Sequence, residues 1–138
     1  MADTVTVTQI FDGIRHCIYE LTNESDGTGE SSVKKVDLDD LVGSLGTLTG
    51  GDRPESLSVV DISWDVSGFN YVTMKWDRQP SDKLIAVMAG SGGVNYNDVG
   101  GKHDPNRGLD GTGDILITTD GGADGSSYRI IVKFRKKY

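Results

Sequence analysis

The chain of 138 residues carries 21 acidic and 14 basic side chains, 19 glycines and one cysteine. A chain of this length buries roughly two-thirds of the surface that its unfolded form exposes, so it can hold a core without metal or disulfide staples. Cys17 excludes an internal disulfide, and the net charge of −7 argues against a nucleic-acid-binding face. We therefore expect residues 1–138 to form a single β-sandwich domain.

The N-terminal segment predicts two strands. Residues 4–11 (TVTVTQIF) and 15–21 (RHCIYEL) are rich in side chains that suit a pleated, half-buried surface, and Asp12-Gly13 separates them. The first of them is expected to be an N-terminal arm or edge strand within residues 1–12. This start does not have the basic and apolar pattern of a secretory signal, so we expect a soluble protein.

The next segment is polar. Residues 23–32 (NESDGTGESS) predict an exposed loop, and a short strand is expected near residues 33–38. Residues 39–48 (DDLVGSLGTL) are the helix candidate, capped by Asp39 or Asp40. Glycines within this segment each weaken a helix by about 1 kcal/mol, which limits it to one or two turns.

Strict alternation of apolar and polar residues predicts strands over 57–66 and 69–76. Ser67-Gly68 lies between them and predicts a hairpin. Asp61 and Asp65 fall on the polar face of the first strand, where they are expected to face solvent.

The C-terminal part predicts a second hairpin and one central strand. Residues 114–119 (DILITT) and 128–134 flank a glycine-rich turn, which favours a hairpin. Residues 83–89 are almost continuously apolar, as expected for a strand that is covered on both faces.

Residues 90–113 carry eight glycines and predict one long loop that contacts a partner. Several potential oxygen or nitrogen ligands fall in or next to it: Asp98, His103, Asp104, Asn106, Asp110 and Asp114. Their spacing does not match an EF-hand, although an irregular calcium site stays open. With two histidines and one thiol, the chain offers few of the ligands that zinc prefers.

No serine or cysteine has the sequence context of a catalytic nucleophile. We therefore predict no catalytic residue, no cofactor, no metal and no enzyme activity.

The aromatic residues suggest a second possibility. Trp64 and Trp76 are in phase with the apolar face of their strands, which favours core packing. Three tyrosines remain as candidates for stacking on sugars: Tyr71, Tyr96 and Tyr128. A carbohydrate-binding or receptor-binding module is therefore the alternative function.

Two stretches, residues 68–93 (GFNYVTMKWDRQPSDKLIAVMAGSGG) and 111–138 (GTGDILITTDGGADGSSYRIIVKFRKKY), carry a resemblance to known proteins. They resemble small β-rich virion proteins of tailed bacteriophages, of the capsid decoration or cement type. The resemblance covers about half of the chain and transfers no individual residues. It implies a non-enzymatic, often trimeric subunit that binds the major capsid protein or another virion protein, and hence a place in the virion after assembly in the host cytoplasm. For the alternative function, the same resemblance implies a carbohydrate-binding or receptor-binding β-sandwich module of a phage fibre or tail.

These patterns predict an all-β fold, an antiparallel β-sandwich or jelly roll of about eight short strands with long glycine-rich loops. The predicted core residues are Val60, Ile62, Trp64, Val72, Met74, Trp76, Leu84, Ile85, Val87, Ile115, Ile117, Ile130, Val132 and Phe134. The predicted partner-contact residues are Thr4, Thr6, Thr8, Tyr96, Asn97, His103, Asn106 and Arg107. We expect a homo-oligomer that contacts neither nucleic acid nor membrane.

Overall fold

The structure, a computed structural model, describes residues 3–43, 54, 56–78, 82–102 and 112–137. Its strands are β1 (Thr4–Asp12), β2 (His16–Asp26), β3 (Val33–Val36), β4 (Ser56–Ser67), β5 (Tyr71–Trp76), β6 (Lys83–Met88), β7 (Ser91–Asn95), β8 (Ile115–Asp120) and β9 (Asp124–Lys137). Two short 3-10 turns cover Leu38–Asp40 and Asn97–Val99.

The strands form two antiparallel sheets. The five-stranded sheet has the order β1-β2-β9-β4-β7, and the four-stranded sheet has the order β3-β8-β5-β6. Without β1, the remaining eight strands have the strand order of a jelly roll, in which the chain passes repeatedly from one sheet to the other. The predicted all-β, antiparallel fold class is confirmed.

The core lies between the inner faces of the two sheets. On β4 and β9 every second residue points inward, apart from one bulge, so that Ile62 lies opposite Val132 and Val66 opposite Tyr128. From the four-stranded sheet, Val72, Met74 and Trp76 of β5 complete this core. The alternation that predicted these residues is therefore confirmed, as is the exposure of Asp61 and Asp65.

Both predicted hairpins beyond β2 are wrong. The strands β4 and β5 lie in different sheets, and so do β8 and β9. The backbone N–H of Asn70 bonds to the carbonyl of Asp120 at 2.9 Å, which starts the pairing of β5 with β8 instead. A short glycine-containing connection reverses the chain whether the next strand returns to the same sheet or crosses to the other, so the turn signal alone could not distinguish them. By contrast, the two strands predicted on either side of Asp12-Gly13 are confirmed as β1 and β2, and they pair with each other.

Gly68 lies at the first of these crossings, between β4 and β5. Its φ is +87°, and a Cβ added there would lie 2.5 Å from Ser126 Oγ and 3.0 Å from the Cα of the same residue. We expect Gly68→Ala to lower the free energy of unfolding by about 1–3 kcal/mol, because an L-residue is strained at this φ. Urea unfolding measures this value. Gly125→Ala is the matched control, since Gly125 has a φ of +94° with no atom within 4 Å of the added Cβ. A loss at Gly125 as large as the loss at Gly68 would contradict the steric part of the argument.

Residues 83–89 do not form a central strand. They form β6, which lies at the edge of the four-stranded sheet and points only some of its residues inward, among them Ile85 and Met88. The predicted core residues Leu84 and Val87 are 49% and 53% exposed, and Trp64 is only half-buried. The apolar run therefore predicted a strand correctly but placed it wrongly at the centre of the sheet. Within the described residues, no strand pairs with the outer side of β6, so one edge of this strand is open.

Three predicted loop or helix segments also differ from the structure. Strand β2 continues to Asp26, so part of the segment 23–32 is buried sheet and not exposed loop. The helix candidate 39–48 is a single 3-10 turn capped by Asp37 in its described part, and its residues 44–48 lie outside the described residues. The segment 90–113 contains β7 and a 3-10 turn before residue 103. Glycine and asparagine, which make up three of the five residues of β7, have low strand propensity, which explains why β7 was missed.

Candidate functional site

Strand β1 is exposed along almost its whole length. Every residue from Thr4 to Phe11 is exposed, on both faces of the strand. In register with β2, Val5 and Val7 lie opposite the buried residues Asn23 and Leu21, so both valines point to the core side of the sheet. They are nevertheless 42% exposed each. The five-stranded sheet therefore extends beyond the cover that the four-stranded sheet provides.

The opposite face of β1 presents the predicted contact residues Thr4, Thr6 and Thr8 to solvent. They lie opposite Glu24, Thr22 and Glu20 of β2. Thr4 to Phe11 contain no charged residue and no proline, although natural edge strands commonly use both to prevent pairing with another chain. Within the described residues, no strand pairs with the outer edge of β1.

The end of β1 adds an apolar patch. A bulge between Gln9 and Phe11 shifts the register, and Ile10 and Phe11 are each 52% exposed. Ile14, in the turn to β2, is exposed beside them. We call β1 together with this turn, residues 4–14, the β1 edge. It combines a strand edge that can form backbone hydrogen bonds with apolar side chains that gain from burial.

Tyr96 and Asn97 lie near the other edge of the five-stranded sheet, next to β7. The half-buried Tyr96 ring lies 5.9 Å from Lys102 Nζ, and the exposed Asn97 donates its backbone N–H to Asn95 Oδ1 at 2.7 Å. The structure thus places these two predicted contact residues apart from the three threonines, with three strands between the edges. His103, Asn106 and Arg107 lie outside the described residues.

A shallow polar hollow lies on the outer face of the five-stranded sheet. Its volume is about 140 Å³, and its lining residues are Ser63, Trp64, Asp65, Arg129 and Ile131. Arg129 pairs with Glu20 at 2.9 Å, and Asp65 accepts a hydrogen bond from Ser91 Oγ at 3.0 Å. Both charges are therefore engaged by neighbours on the sheet.

The candidate stacking residues do not converge. Tyr71 is exposed on β5, Tyr96 is near Lys102, and Tyr128 is buried with its hydroxyl donating to Glu30 at 2.5 Å. Of the two tryptophans, Trp76 is fully buried, whereas Trp64 donates its Nε1–H to the carbonyl of Ala89 at 3.1 Å.

The candidate metal ligands that can be located are dispersed. Asp98 is exposed, whereas the buried Asp114 accepts the backbone N–H of Leu38 and pairs with Lys34. In the part of the chain that the structure describes, no group of three or more His, Cys, Asp or Glu side chains could hold a metal ion. The remaining predicted ligands, residues 103–110, fall outside that part. No helix of the described residues is long and apolar enough to span a membrane.

Cys17 and His16 are held in forms with little nucleophilic or cationic character. Burial raises the pKa of the Cys17 thiol to about 12, so the thiolate is scarce at neutral pH. Partial burial, followed by the charges of Lys133, Arg135 and Arg15, lowers the pKa of His16. Cys17 is thus a small buried member of the core.

A buried polar cluster between the sheets was missed by sequence reasoning. Asn23 and Ser25 of β2 point inward with Glu30 from the following loop and Lys35 from β3. The signal was present, because Asn23 and Ser25 continue the period of two that begins with Cys17, Tyr19 and Leu21. This period was overlooked because Asn23 and Ser25 are polar, and polar residues in this segment indicated a loop.

Comparisons with known proteins identify no relative. No protein-family model matches the sequence, and no curated protein matches it. Among solved structures, the crystal structure of a cupin domain from Bordetella pertussis Tohama I aligns with 100% of this chain and 98% of that domain. The identity is 7% and the TM-score is 0.40, values too low to support an argument about activity.

Proposed function

We propose that this protein is a structural subunit of a virion, a capsid decoration or cement protein that binds a phage shell as a homo-oligomer, with a trimer favoured. In this proposal it is not an enzyme, and it resides in the virion after assembly in the host cytoplasm. The observation that carries the proposal is the β1 edge, which is uncharged from Thr4 to Phe11 and exposed on both faces.

The β1 edge suits a protein contact for two physical reasons. An edge strand without charges or proline is a template for another strand, so it is expected to be covered in the working state. Complete burial of a valine or phenylalanine side chain gains about 1.5–3 kcal/mol, and Val5, Val7, Ile10 and Phe11 are all substantially exposed. An oligomer repeats this contact, so that weak individual contacts add up to firm attachment to a shell.

The resemblance of residues 68–93 and 111–138 to small virion proteins supports the choice of partner. Carbohydrate or receptor binding stays a prediction and is the alternative function. The three candidate tyrosines lie apart, so they do not form one stacking surface. The β1 edge, by contrast, offers both backbone pairing and apolar burial in one surface.

Co-sedimentation with empty expanded shells, assembled from the capsid protein of the same genome, tests this function. We expect the wild-type protein to sediment with the shells at micromolar concentration. The variant Val7→Lys should bind roughly tenfold more weakly or worse, because burying one unpaired charge costs more than the 1.4 kcal/mol that a tenfold change represents.

The matched control is Val87→Lys, which places the same charge at a similarly exposed position on the edge strand β6. We expect it to bind as wild type. Circular dichroism melting should show both variants folded. The proposal fails if the wild-type protein does not sediment with shells, or if Val87→Lys impairs binding as much as Val7→Lys.

A further inference from the structure

The buried cluster between the sheets brings an amine, a carboxylate and a carboxamide together. Lys35 Nζ contacts Glu30 Oε2, and both side chains are almost fully buried. Asn23 Nδ2 donates to Glu30 Oε1 at 2.7 Å, and Tyr128 Oη donates to the same oxygen at 2.5 Å. One carboxylate therefore contacts both the amine of Lys35 and the amide nitrogen of Asn23.

The carbonyl oxygen of Asn23 is the unusual atom in this cluster. Asn23 is 1% exposed, and its Oδ1 accepts no hydrogen bond from the described residues. Buried polar atoms are nearly always paired, so an unpaired one needs an explanation, and a catalytic role is one of those known. Asn23 Oδ1 belongs to the same carboxamide whose nitrogen, Nδ2, donates a hydrogen bond to Glu30.

We propose that Asn23 and Lys35 react with each other to form an intramolecular isopeptide bond, with Glu30 as the proton-transferring group. An amine becomes a nucleophile when it is neutral and close to an electrophile. The Glu30 carboxylate is a base in contact with Lys35 Nζ, and it also accepts a hydrogen bond from Asn23 Nδ2, so it holds the amine and the carboxamide at one group. This inference does not depend on the proposed virion function.

The reaction balances without an oxidant or a reductant. Glu30 takes a proton from the Lys35 ammonium, and the neutral Nζ attacks Cγ of Asn23, so that the carbonyl electrons move to Oδ1. Glu30 then returns a proton to Nδ2, the Cγ–Nδ2 bond breaks, and the carbonyl reforms. Nζ also loses a second proton, which Glu30 takes up and passes to the departing ammonia. The leaving group is therefore an ammonium ion. Glu30 ends as the carboxylate from which it started.

Two neighbouring residues act as positioning residues. Asp3 accepts a hydrogen bond from Asn23 Nδ2 at 2.9 Å, which orients the carboxamide. Partial burial raises the pKa of Asp3, but hydrogen bonds from Asn23, Gly29, Ser25 and Asp26 outweigh it and hold the pKa below its usual value. Tyr128 fixes Glu30, and burial raises the pKa of its hydroxyl, so that it remains a donor.

The bond would join the two layers of the sandwich. Asn23 lies on β2 of the five-stranded sheet, and Lys35 lies on β3 of the four-stranded sheet. A covalent link between layers restricts the unfolded chain in the way that a disulfide does, in a protein whose single cysteine precludes one.

A second buried lysine provides an internal comparison. Lys136 Nζ contacts Asp12 Oδ1 and donates to the carbonyl of Val42 at 2.8 Å. That pair contains no carboxamide, so no ammonia can leave from it. We expect Lys136 to remain in a plain ion pair.

Intact mass spectrometry of the purified full-length protein tests the proposal. The wild-type mass should be lower than the sequence mass by one molecule of ammonia. After digestion, the peptides that contain residues 23 and 35 should be found joined. The joined peptides are required because an asparagine that cyclises onto its own backbone also expels ammonia.

The variants Glu30→Gln and Lys35→Arg should keep their full sequence mass and give separate peptides, whereas Lys136→Arg should still lose one ammonia. A wild-type protein with full sequence mass overturns the proposal whether or not the variants fold. A Lys35→Arg variant that still loses ammonia, or joined peptides that do not include residue 35, would overturn it as well.

Discussion

Replacing Trp76 with alanine should lower the free energy of unfolding by about 3–5 kcal/mol, as expected for truncation of a large buried aromatic side chain. Trp76 is fully buried in the core cluster. Its Nε1–H donates to the carbonyl of Leu57 at 2.9 Å in a buried hydrogen bond that links the two sheets. Truncation therefore leaves both a cavity and an unpaired carbonyl. Denaturant unfolding with linear extrapolation measures the loss.

Two further variants separate packing from hydrogen bonding. Trp76→Phe keeps much of the ring volume but removes the donor, so it should cost about 1–3 kcal/mol from the unpaired carbonyl, plus a smaller cavity term. Trp64→Ala is the control, because Trp64 is half-buried and its hydrogen bond to Ala89 is solvent-exposed. Equal losses for Trp64→Ala and Trp76→Ala would contradict the assignment of Trp76 to the centre of the core.

Removing the carboxylate of Asp12 should cost about 3–5 kcal/mol, because it leaves the buried ammonium of Lys136 without a counter-charge. Asp12 ends the β1 edge strand, and Lys136 lies on β9. Asp12 also accepts the backbone N–H of Val42 at 2.9 Å. One carboxylate thus connects the first hairpin, the segment after β3 and the last strand.

A double-mutant cycle tests this explanation. The variant Asp12→Ala/Lys136→Met should be more stable than Asp12→Ala, because methionine fills the lysine site without burying a charge. Asp61→Ala is the surface control, since Asp61 is exposed opposite Lys133, and it should change the stability by less than about 0.5 kcal/mol. If the double variant is less stable than Asp12→Ala, the unpaired charge is not the cause.

The candidate site was predicted only in part. The alternation of threonine and valine over residues 4–8 identified a strand and placed Thr4, Thr6 and Thr8 on one face. The importance of Val5 and Val7 was missed, because alternation predicts burial for the apolar face. Their exposure depends on the four-stranded sheet ending short of β1, which no feature of residues 4–8 encodes.

The burial of Asn23, Glu30 and Lys35 was not predicted from the local sequence either, because these residues are polar. Residues 23–32 have the polarity of a loop, yet Glu30 is buried, because Lys35 and Tyr128 pair with its carboxylate. Burial of a polar group depends on such partners. Tyr128, which is 98 residues from Glu30, is one of them.

The sequence by itself determined the all-β class, the inward positions of β4, β5 and β9, and the exposure of Asp61 and Asp65. These follow from a period of two, which is a local property of the chain. Only the tertiary structure decided which strands are neighbours, that β6 lies at an edge, and that Lys35 and Asn23, which lie in different sheets, both contact Glu30. Strand order depends on contacts between distant residues, and a short glycine turn has nearly the same local energy whichever sheet the next strand joins.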